Sequence, residues 1–356
     1  MVSSSGISGT HAIAAVKGPG VVTGRYGTLG EVHYVDVDYW PLNTTLYVDD
    51  FFGNHPRFIA YLLRTLDLAR GNSKSSVPGL NRNDLHRLLA PVPSRFEQEA
   101  IAALLGALDD KIQLNRKASA TLEEMARVQF ASSFGVLDTE RVLVGWTVAS
   151  LSEHVEVVRG LSYTSAGLAD DGVPLHNLDS IYEGGGYKYE GIKHYRGEYK
   201  DRHVVRAGDL LVVNTEQGFE HLLIGFPALV PARFGDLSLY SADLFRMKPS
   251  PHSHLTTRFL YLALMSARLR QLIVGYSNGT TVNHLAADGL RRPRLAVPPT
   301  VAVQRFDGTV APLFAKQEQL QLESETLGDL RDLLLPKLMS GEIQLKQGEK
   351  AVAEAL

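Results

Sequence analysis

Apolar residues recur along two stretches of the chain at alternating steps of four and three. That is the pattern of a helix carrying one continuous apolar stripe. From Ile101 the steps select Leu105, Leu108, Ile112, Asn115, Ser119, Leu122, Ala126 and Gln129. An offset of 205 residues selects Phe306, Val310, Leu313, Gln317, Leu320, Ser324, Leu327, Arg331 and Leu334. Each set predicts an a/d seam of four heptads, on helices over 96–134 and 301–340. A helix with such a stripe needs a partner. The other copy is the simplest one, and equal length and register favour a coiled coil over two ordinary core helices. Asn115 and Ser119 in one seam, and Gln317, Ser324 and Arg331 in the other, are polar positions of the kind that fix register.

The helices belong to a longer repeat. Arg57-Phe58-Ile59 is echoed by Arg258-Phe259-Leu260, and residues 77–93 (VPGLNRNDLHRLLAPVP) by residues 282–298 (VNHLAADGLRRPRLAVP). Residues 18–50 and 145–250 are rich in Gly, Val and Tyr, with short alternating runs such as Val32-His33-Tyr34-Val35-Asp36-Val37. Leu210-Leu211-Val212-Val213, after a turn at Gly208-Asp209, predicts a buried strand. Short helices are predicted at 56–69 and 256–274. The chain reads as two copies of one α+β plan: a strand-rich domain, then a long helix. The first copy has about 95 residues before its helix and the second, 145–299, about 155.

Composition narrows the function. The 356 residues suffice for two domains, each with its own core. The absence of cysteine excludes disulfides, thiol nucleophiles and cysteine-ligated zinc, and suits a cytoplasmic protein. The longest apolar run, 222–232, is broken by Pro227 and Pro231, so no membrane span or membrane partner is expected. The start has no signal-peptide shape, since 12–16 is too short and has no cationic flank. A net charge of −3 argues against holding nucleic acid by bulk charge and leaves local basic patches open.

Catalytic signatures are sparse. The Pro298-Pro299 pair lacks the Asn/Asp and aromatic neighbours of an adenine methyltransferase, and no Gly-Lys-Ser/Thr phosphate loop occurs. Gly24-x-x-Gly27-x-x-Gly30 lacks dinucleotide spacing and sits between strand-like runs. It reads as a tight turn, with a phosphate cradle as the alternative. His252-x-His254, His194 and His203 form no metal-ligand pattern. Glu198-x-Lys200, with Asp179 and Glu183 upstream, matches a metal-nuclease arrangement weakly.

The layout resembles the specificity subunit of type I restriction-modification systems. Phe96-Glu97-Gln98-Glu99-Ala100-Ile101-Ala102, Leu108-Asp109-Asp110-Lys111-Ile112 and Leu114-Asn115 look like the family's first spacer helix. Leu333-Leu334-Leu335-Pro336-Lys337-Leu338-Met339-Ser340-Gly341-Glu342-Ile343 is similar to the end of its second. Gly145-Trp146 followed by Leu151 looks like the opening of a target recognition domain. Gly208-Asp209-Leu210-Leu211 is similar to a central strand, and the Gly24–Gly30 segment to a glycine-rich turn. The resemblance spans nearly the whole chain, through order and repetition rather than one specific motif.

It implies recognition domains at 1–95 and 145–300, held apart by an antiparallel pair of spacer helices, with a tail at 341–356. Each domain would read half of a split double-stranded DNA site through the major groove. The chain would carry two methyltransferase subunits and, in the full complex, restriction subunits. It would itself be non-catalytic and hold no cofactor, with AdoMet, ATP and Mg²⁺ belonging to the partner subunits. The first copy departs from the pattern: it has no Gly-Trp opening and lacks about 50 residues relative to the second, which suggests a truncated gene or a displaced start.

DNA contacts are expected from polar and basic loops. Residues 187–206 hold six cations (Lys188, Lys193, Arg196, Lys200, Arg202, Arg206) against Glu190, Glu198 and Asp201, interleaved with Tyr187, Tyr189, Tyr195 and Tyr199. Cations position a protein on phosphate, while Tyr, Asn and Gln reach base edges. Tyr187, Lys188, Lys193 and Arg196 are the first candidates there, against a plain solvated loop. Ser73 and Lys74, and at matching places in the second copy Asn278 and Thr280, are the next, against a plain turn. Arg25, Asn214 and Gln217 complete the set. A stand-alone Mg²⁺ nuclease using Glu198 and Lys200, and a helical scaffold without DNA binding, are the competing readings.

Overall fold

The computed structural model describes residues 1–66, 68, 79–135, 137, 139–140, 142–218, 220–279 and 281–355. Its helices are α1 (Pro56–Thr65), α2 (Arg82–Leu85), α3 (Arg95–Phe134), α4 (Thr257–Met265), α5 (Ala267–Val274), α6 (Thr300–Ser340) and α7 (Leu345–Ala355). The chain divides into two compact units, 1–116 with 323–356, and 117–322. Both boundaries fall inside the long helices α3 and α6. Among the described residues no helix is long and apolar enough to cross a membrane.

Local chemistry sets the ends of the long helices. Before α3, Ser94 and Glu97 form a reciprocal cap. The Ser94 amide donates to the Glu97 carboxylate (3.0 Å) and the Glu97 amide to the Ser94 hydroxyl (3.4 Å). Helix α6 starts after Pro298-Pro299. Gly135 and Gly341 follow the two C-termini with φ of 62° and 75°, a left-handed stop that suits glycine.

In the first unit, the strand Gly20–Gly24 lies between Val32–Val35 and Thr45–Tyr47 in an antiparallel sheet. Val21 packs with Val32, Ala60 and Leu80, while Val22 packs with Val2, Val35 and Tyr39, so the central strand is buried on both faces. The Gly24–Gly30 segment is the hairpin turn between the first two strands. Gly27 and Gly30 have φ of 80° and 76°, and a Cβ on Gly24 would lie 2.0 Å from the Thr28 carbonyl oxygen. Helix α1 then joins sheet to long helices: Ala60 faces the sheet, while Phe58, Tyr61 and Leu62 meet Ile101, Leu105, Leu108, Ile112, Leu327, Leu334 and Leu338. Asn115 donates to Glu323 (3.0 Å) and Arg331 to Asp109 (2.7 Å), so the segments of α3 and α6 in this unit are antiparallel.

Asp109 ties three helices together. It accepts from the Tyr61 hydroxyl (2.6 Å) of α1 and from Arg331 of α6, with Arg64 at 3.4 Å. Burial alone would raise its pKa; the Tyr61 and Arg331 hydrogen bonds and the Arg331 and Arg64 charges outweigh burial and hold it below the usual 3.8. A depressed carboxyl stabilises the fold fully above the unfolded value and loses that contribution as pH falls through the folded one. Acid titration of the melting temperature should therefore steepen below about pH 4, and Asp109→Asn should remove part of that slope. Equal slopes for the two proteins would contradict the assignment.

In the second unit, a mixed five-stranded sheet runs Val204–Val205, Ser238–Tyr240, Val173–His176, Lys193–Tyr195, Leu168–Ala169. An antiparallel four-stranded sheet runs Pro227–Leu229, Leu210–Val213, Leu244–Pro249, Val155–Arg159. Leu210–Val213 is wholly buried: Leu210 and Val212 face one cluster, Leu211 and Val213 another. Two further pairings are a ribbon of Thr215–Gln217, Val282–Leu285 and Ser277–Asn278, and the pair Thr147–Ser150 with Arg294–Val297. Ala126, Phe130 and Phe134 of α3 pack with Phe259, Phe306 and Val310. Glu123 near Gln317 (3.5 Å) and Phe130 near Phe306 (5.6 Å) show that these helix segments are also antiparallel.

The repeat is physical as well as textual. Phe58 and Phe259 are both buried, and Arg57 and Arg258 each bind an aspartate of the long helix that follows, Asp110 and Asp307. Tyr61 and Tyr261 fall at different places in the repeat, yet each donates to an acid of α3, Asp109 and Glu123.

Several sequence expectations need correction. Gln129 is not the last inward position of the first seam. It is half-buried and donates to Ser133 (3.2 Å), while Phe130 is buried. The seam takes a step of four after Ala126, because a straight helix drifts against a seven-residue repeat and an aromatic cluster waits there. Leu122 and Leu313 are half-buried rather than fully inside. The helix expected at 256–274 is two, broken at Ser266, whose ψ of 136° is extended. Residues 345–355 of the expected tail are helix α7, which places Leu345, Ala351 and Val352 against the core of the first unit.

Candidate nucleic-acid interface

Each unit offers a polar surface held by rigid backbone. In the first unit, the hairpin turn raises Arg25 and Tyr26, with the guanidinium 5.0 Å from the ring centre. Both line an open cleft of about 590 Å³ with Leu46, Asn81, Arg82 and Asn83. Leu80 closes it by donating its amide to the Arg25 carbonyl (2.8 Å). Arg25 and Arg82 are exposed and make no ion pair among the described residues. Two exposed guanidiniums, a ring and two amides suit a phosphate backbone with adjacent bases. Ser73 and Lys74 lie outside the described residues.

In the second unit, the ribbon is the best-defined reader. Thr215, His284 and Asn278 stand opposite one another across its strands, and Gln217 stands opposite Val282. Cross-strand neighbours share a face. Gln217, His284 and Asn278 are therefore presented together, and all three are exposed. The opposite face is anchored. Buried Glu216 accepts from the amides of Leu222 (2.7 Å) and Ile224 (3.0 Å), and buried Asn283 donates to the Gly218 carbonyl. Thr215 bonds His284 Nδ1 (3.2 Å) and steadies the ring. A preorganised row of amide and imidazole groups suits base edges. Gln217 and Asn278 were candidates from sequence and come together here; Thr280 lies outside the described residues. His284 was missed, though the alternation in Val282-Asn283-His284-Leu285 marks it as an outward strand position.

Asn214 is buried rather than presented to solvent. It is 2% exposed, donates to the Ala242 carbonyl (3.0 Å) and accepts from Thr215 (2.8 Å). Tyr187 also turns inward, its hydroxyl 2.6 Å from His176 Nδ1. His176 Nε2 lies 2.9 Å from Ser238, whose hydroxyl donates to the Val205 carbonyl. The chain of donors runs Tyr187 to His176 to Ser238 to Val205. Burial lowers the His176 pKa to about 3, so the ring is neutral. Tyr187 thus fastens its loop to the five-stranded sheet.

The basic stretch is less positive in space than along the chain. Lys193 lies 3.8 Å from Asp179, and Arg196 binds Asp171. Both acids come from outside the stretch. Lys188 sits 6.0 Å from the Tyr182 ring centre instead. Glu198 and Lys200 are exposed, and among the described residues no group of three His, Asp or Glu side chains is placed to hold a metal ion. The metal-nuclease reading has no geometric support.

A strand-rich unit built onto long helices, made twice, with a polar solvent-facing ribbon in the second, is the layout expected of a specificity subunit that recognises DNA. Residues 5–124, a third of the chain, match the family model described as the type I restriction modification DNA specificity domain. The chain is 24% identical over 323 residues to the MjaIX specificity subunit of Methanocaldococcus jannaschii, covering 82% of this chain and 69% of that one. It is 29% identical over 94 residues to the HindI specificity subunit of Haemophilus influenzae, covering 26% of this chain and 20% of that one. The fold is similar to that of the S subunit of a type I system from M. genitalium, with a TM-score of 0.54 at 16% identity, covering 94% and 86% of the two chains.

Proposed function

We propose that the chain reads a bipartite double-stranded DNA site, one half through each strand-rich unit, and positions two methyltransferase subunits on it without performing chemistry itself. Restriction subunits would join the same assembly, and AdoMet, ATP and Mg²⁺ would act in the partners. The observation that carries the reading is the repeat in three dimensions: a buried Phe and an aspartate-bound Arg join a strand-rich unit to a long helix in both copies. The antiparallel helices would act as the spacer between half-sites. The domain limits 1–95 and 145–300, with spacers 96–134 and 301–340, express that division.

The ribbon gives the direct test. Replacing Gln217, His284 and Asn278 by Ala should relax base preference in one half-site and leave the other intact, because a good bidentate contact is worth ~1–3 kcal/mol of discrimination. Methylation sequencing with the cognate methyltransferase subunits reads this. A uniform loss across both half-sites would show that the ribbon serves folding or phosphate contact instead.

A further inference from the structure

We propose, resting on the bipartite reading above, that Tyr26 is the base-contacting residue of the first unit and that Gly79 is the seat that positions it. The two copies share a backbone frame at this point. In the second unit, Asn214 follows the buried strand Leu210–Val213. Its amide donates to the Asp243 carbonyl (2.9 Å), and its carbonyl accepts from the Leu285 amide (2.7 Å). In the first unit, Arg25 follows the buried strand Gly20–Gly24. Its amide donates to the Thr44 carbonyl (2.8 Å), and its carbonyl accepts from the Leu80 amide (2.8 Å).

The neighbouring strands keep the same register, with Gly24 opposite Thr45 and Val213 opposite Leu244. Leu80 and Leu285 are 205 residues apart, the offset of the sequence repeat. Arg25 therefore takes the place of Asn214, Tyr26 that of Thr215, and Gly79 that of His284.

In the second unit Thr215 stands opposite His284, with its hydroxyl 3.2 Å from Nδ1, and the imidazole is exposed. The first unit exchanges the sizes. Gly79 has no side chain, and the Tyr26 ring fills that space: a Cβ on Gly79 would lie 2.6 Å from Tyr26 Cε1. The Gly79 backbone is not left-handed, so the ring rather than φ is what calls for glycine. Tyr26 remains 39% exposed, with the Arg25 guanidinium 5.0 Å from its ring centre. A polar ring thus stands at the same point of the frame in both copies, supplied from opposite sides of the pair. Its hydroxyl can donate and accept, which suits a base edge, while Arg25 and Arg82 in the same cleft suit the adjacent phosphates.

Methylation sequencing with the cognate methyltransferase subunits tests both roles. Tyr26→Ala should lose about tenfold discrimination at a base position, in the half-site that the Gln217, His284 and Asn278 replacements leave intact. Gly79→Ala should relax the same position without lowering the melting temperature, because the atom displaced belongs to a side chain that can turn away. In the Tyr26→Ala protein, Gly79→Ala should have no further effect, since the two act as one unit. A loss from Tyr26→Ala that is uniform over all sequences, or a further loss from Gly79→Ala in the Tyr26→Ala protein, would overturn the proposal. If the ribbon replacements relax one half-site and Tyr26→Ala leaves the other unchanged, the Tyr26 role falls and the bipartite reading stands. If neither set changes any base preference, both fall.

Discussion

Leu105→Asp is expected to destabilise the first unit by more than about 4 kcal/mol, enough to unfold a domain of ordinary stability. Leu105 is 0% exposed and packs among Phe58, Tyr61, Leu108 and Leu334. Losing its burial costs ~2–3 kcal/mol, and placing a carboxylate among apolar side chains costs more. Leu114 lies on the same helix and is 61% exposed. Leu114→Asp should change stability by less than about 0.5 kcal/mol. Urea unfolding of the three proteins separates burial from a general effect of charge on α3. Equal midpoints for Leu105→Asp and the parent would mean that the seam does not hold this unit together.

A second large effect is expected from helix length. One heptad inserted after Asn115 and one after Leu322 falls beside the Asn115–Glu323 contact and keeps both apolar patterns in phase. Each helix lengthens by ~10 Å at ~1.5 Å per residue, close to three base pairs at ~3.4 Å each. If the helices space the half-sites, both half-site sequences should persist and the unspecified gap should widen, as far as rotation of the duplex permits. A heptad in one helix alone leaves the seams mismatched and should reduce methylation without a defined new gap. Methylation at the original spacing by the doubly lengthened protein would remove the spacer role.

The long helices were legible in sequence because a stripe such as Ile101, Leu105, Leu108 and Ile112 leaves few alternatives once a helix of that length is exposed to water. The strand Leu210–Val213 was legible for a related reason: four consecutive apolar residues after Gly208-Asp209 need cover on both faces, and the two sheet-side clusters supply it. Polar side chains were harder. Asn214 and Gln217 are three residues apart, yet one is buried and bonded to the Ala242 carbonyl and the other is exposed on the ribbon. Only the pairing of Thr215 with His284 decides which is which. The cations at Lys193 and Arg196 looked free because their partners, Asp179 and Asp171, lie outside the counted stretch and reach them through folding. Tyr187 looked like a contact residue because nothing local marks His176 as its partner, 11 residues away and fully buried. The end of the first seam moved from Gln129 to Phe130 because tertiary packing of aromatic rings, which no periodicity encodes, chose the register.

The most direct measurement is a map of methylated adenines after co-expression of cognate methyltransferase subunits with and without this chain. A specificity subunit should yield methylation at one bipartite sequence, absent when the chain is absent, and the purified chain alone should neither consume AdoMet nor cleave DNA. Methylation at the same sites without the chain, or AdoMet turnover by the chain alone, would contradict the account.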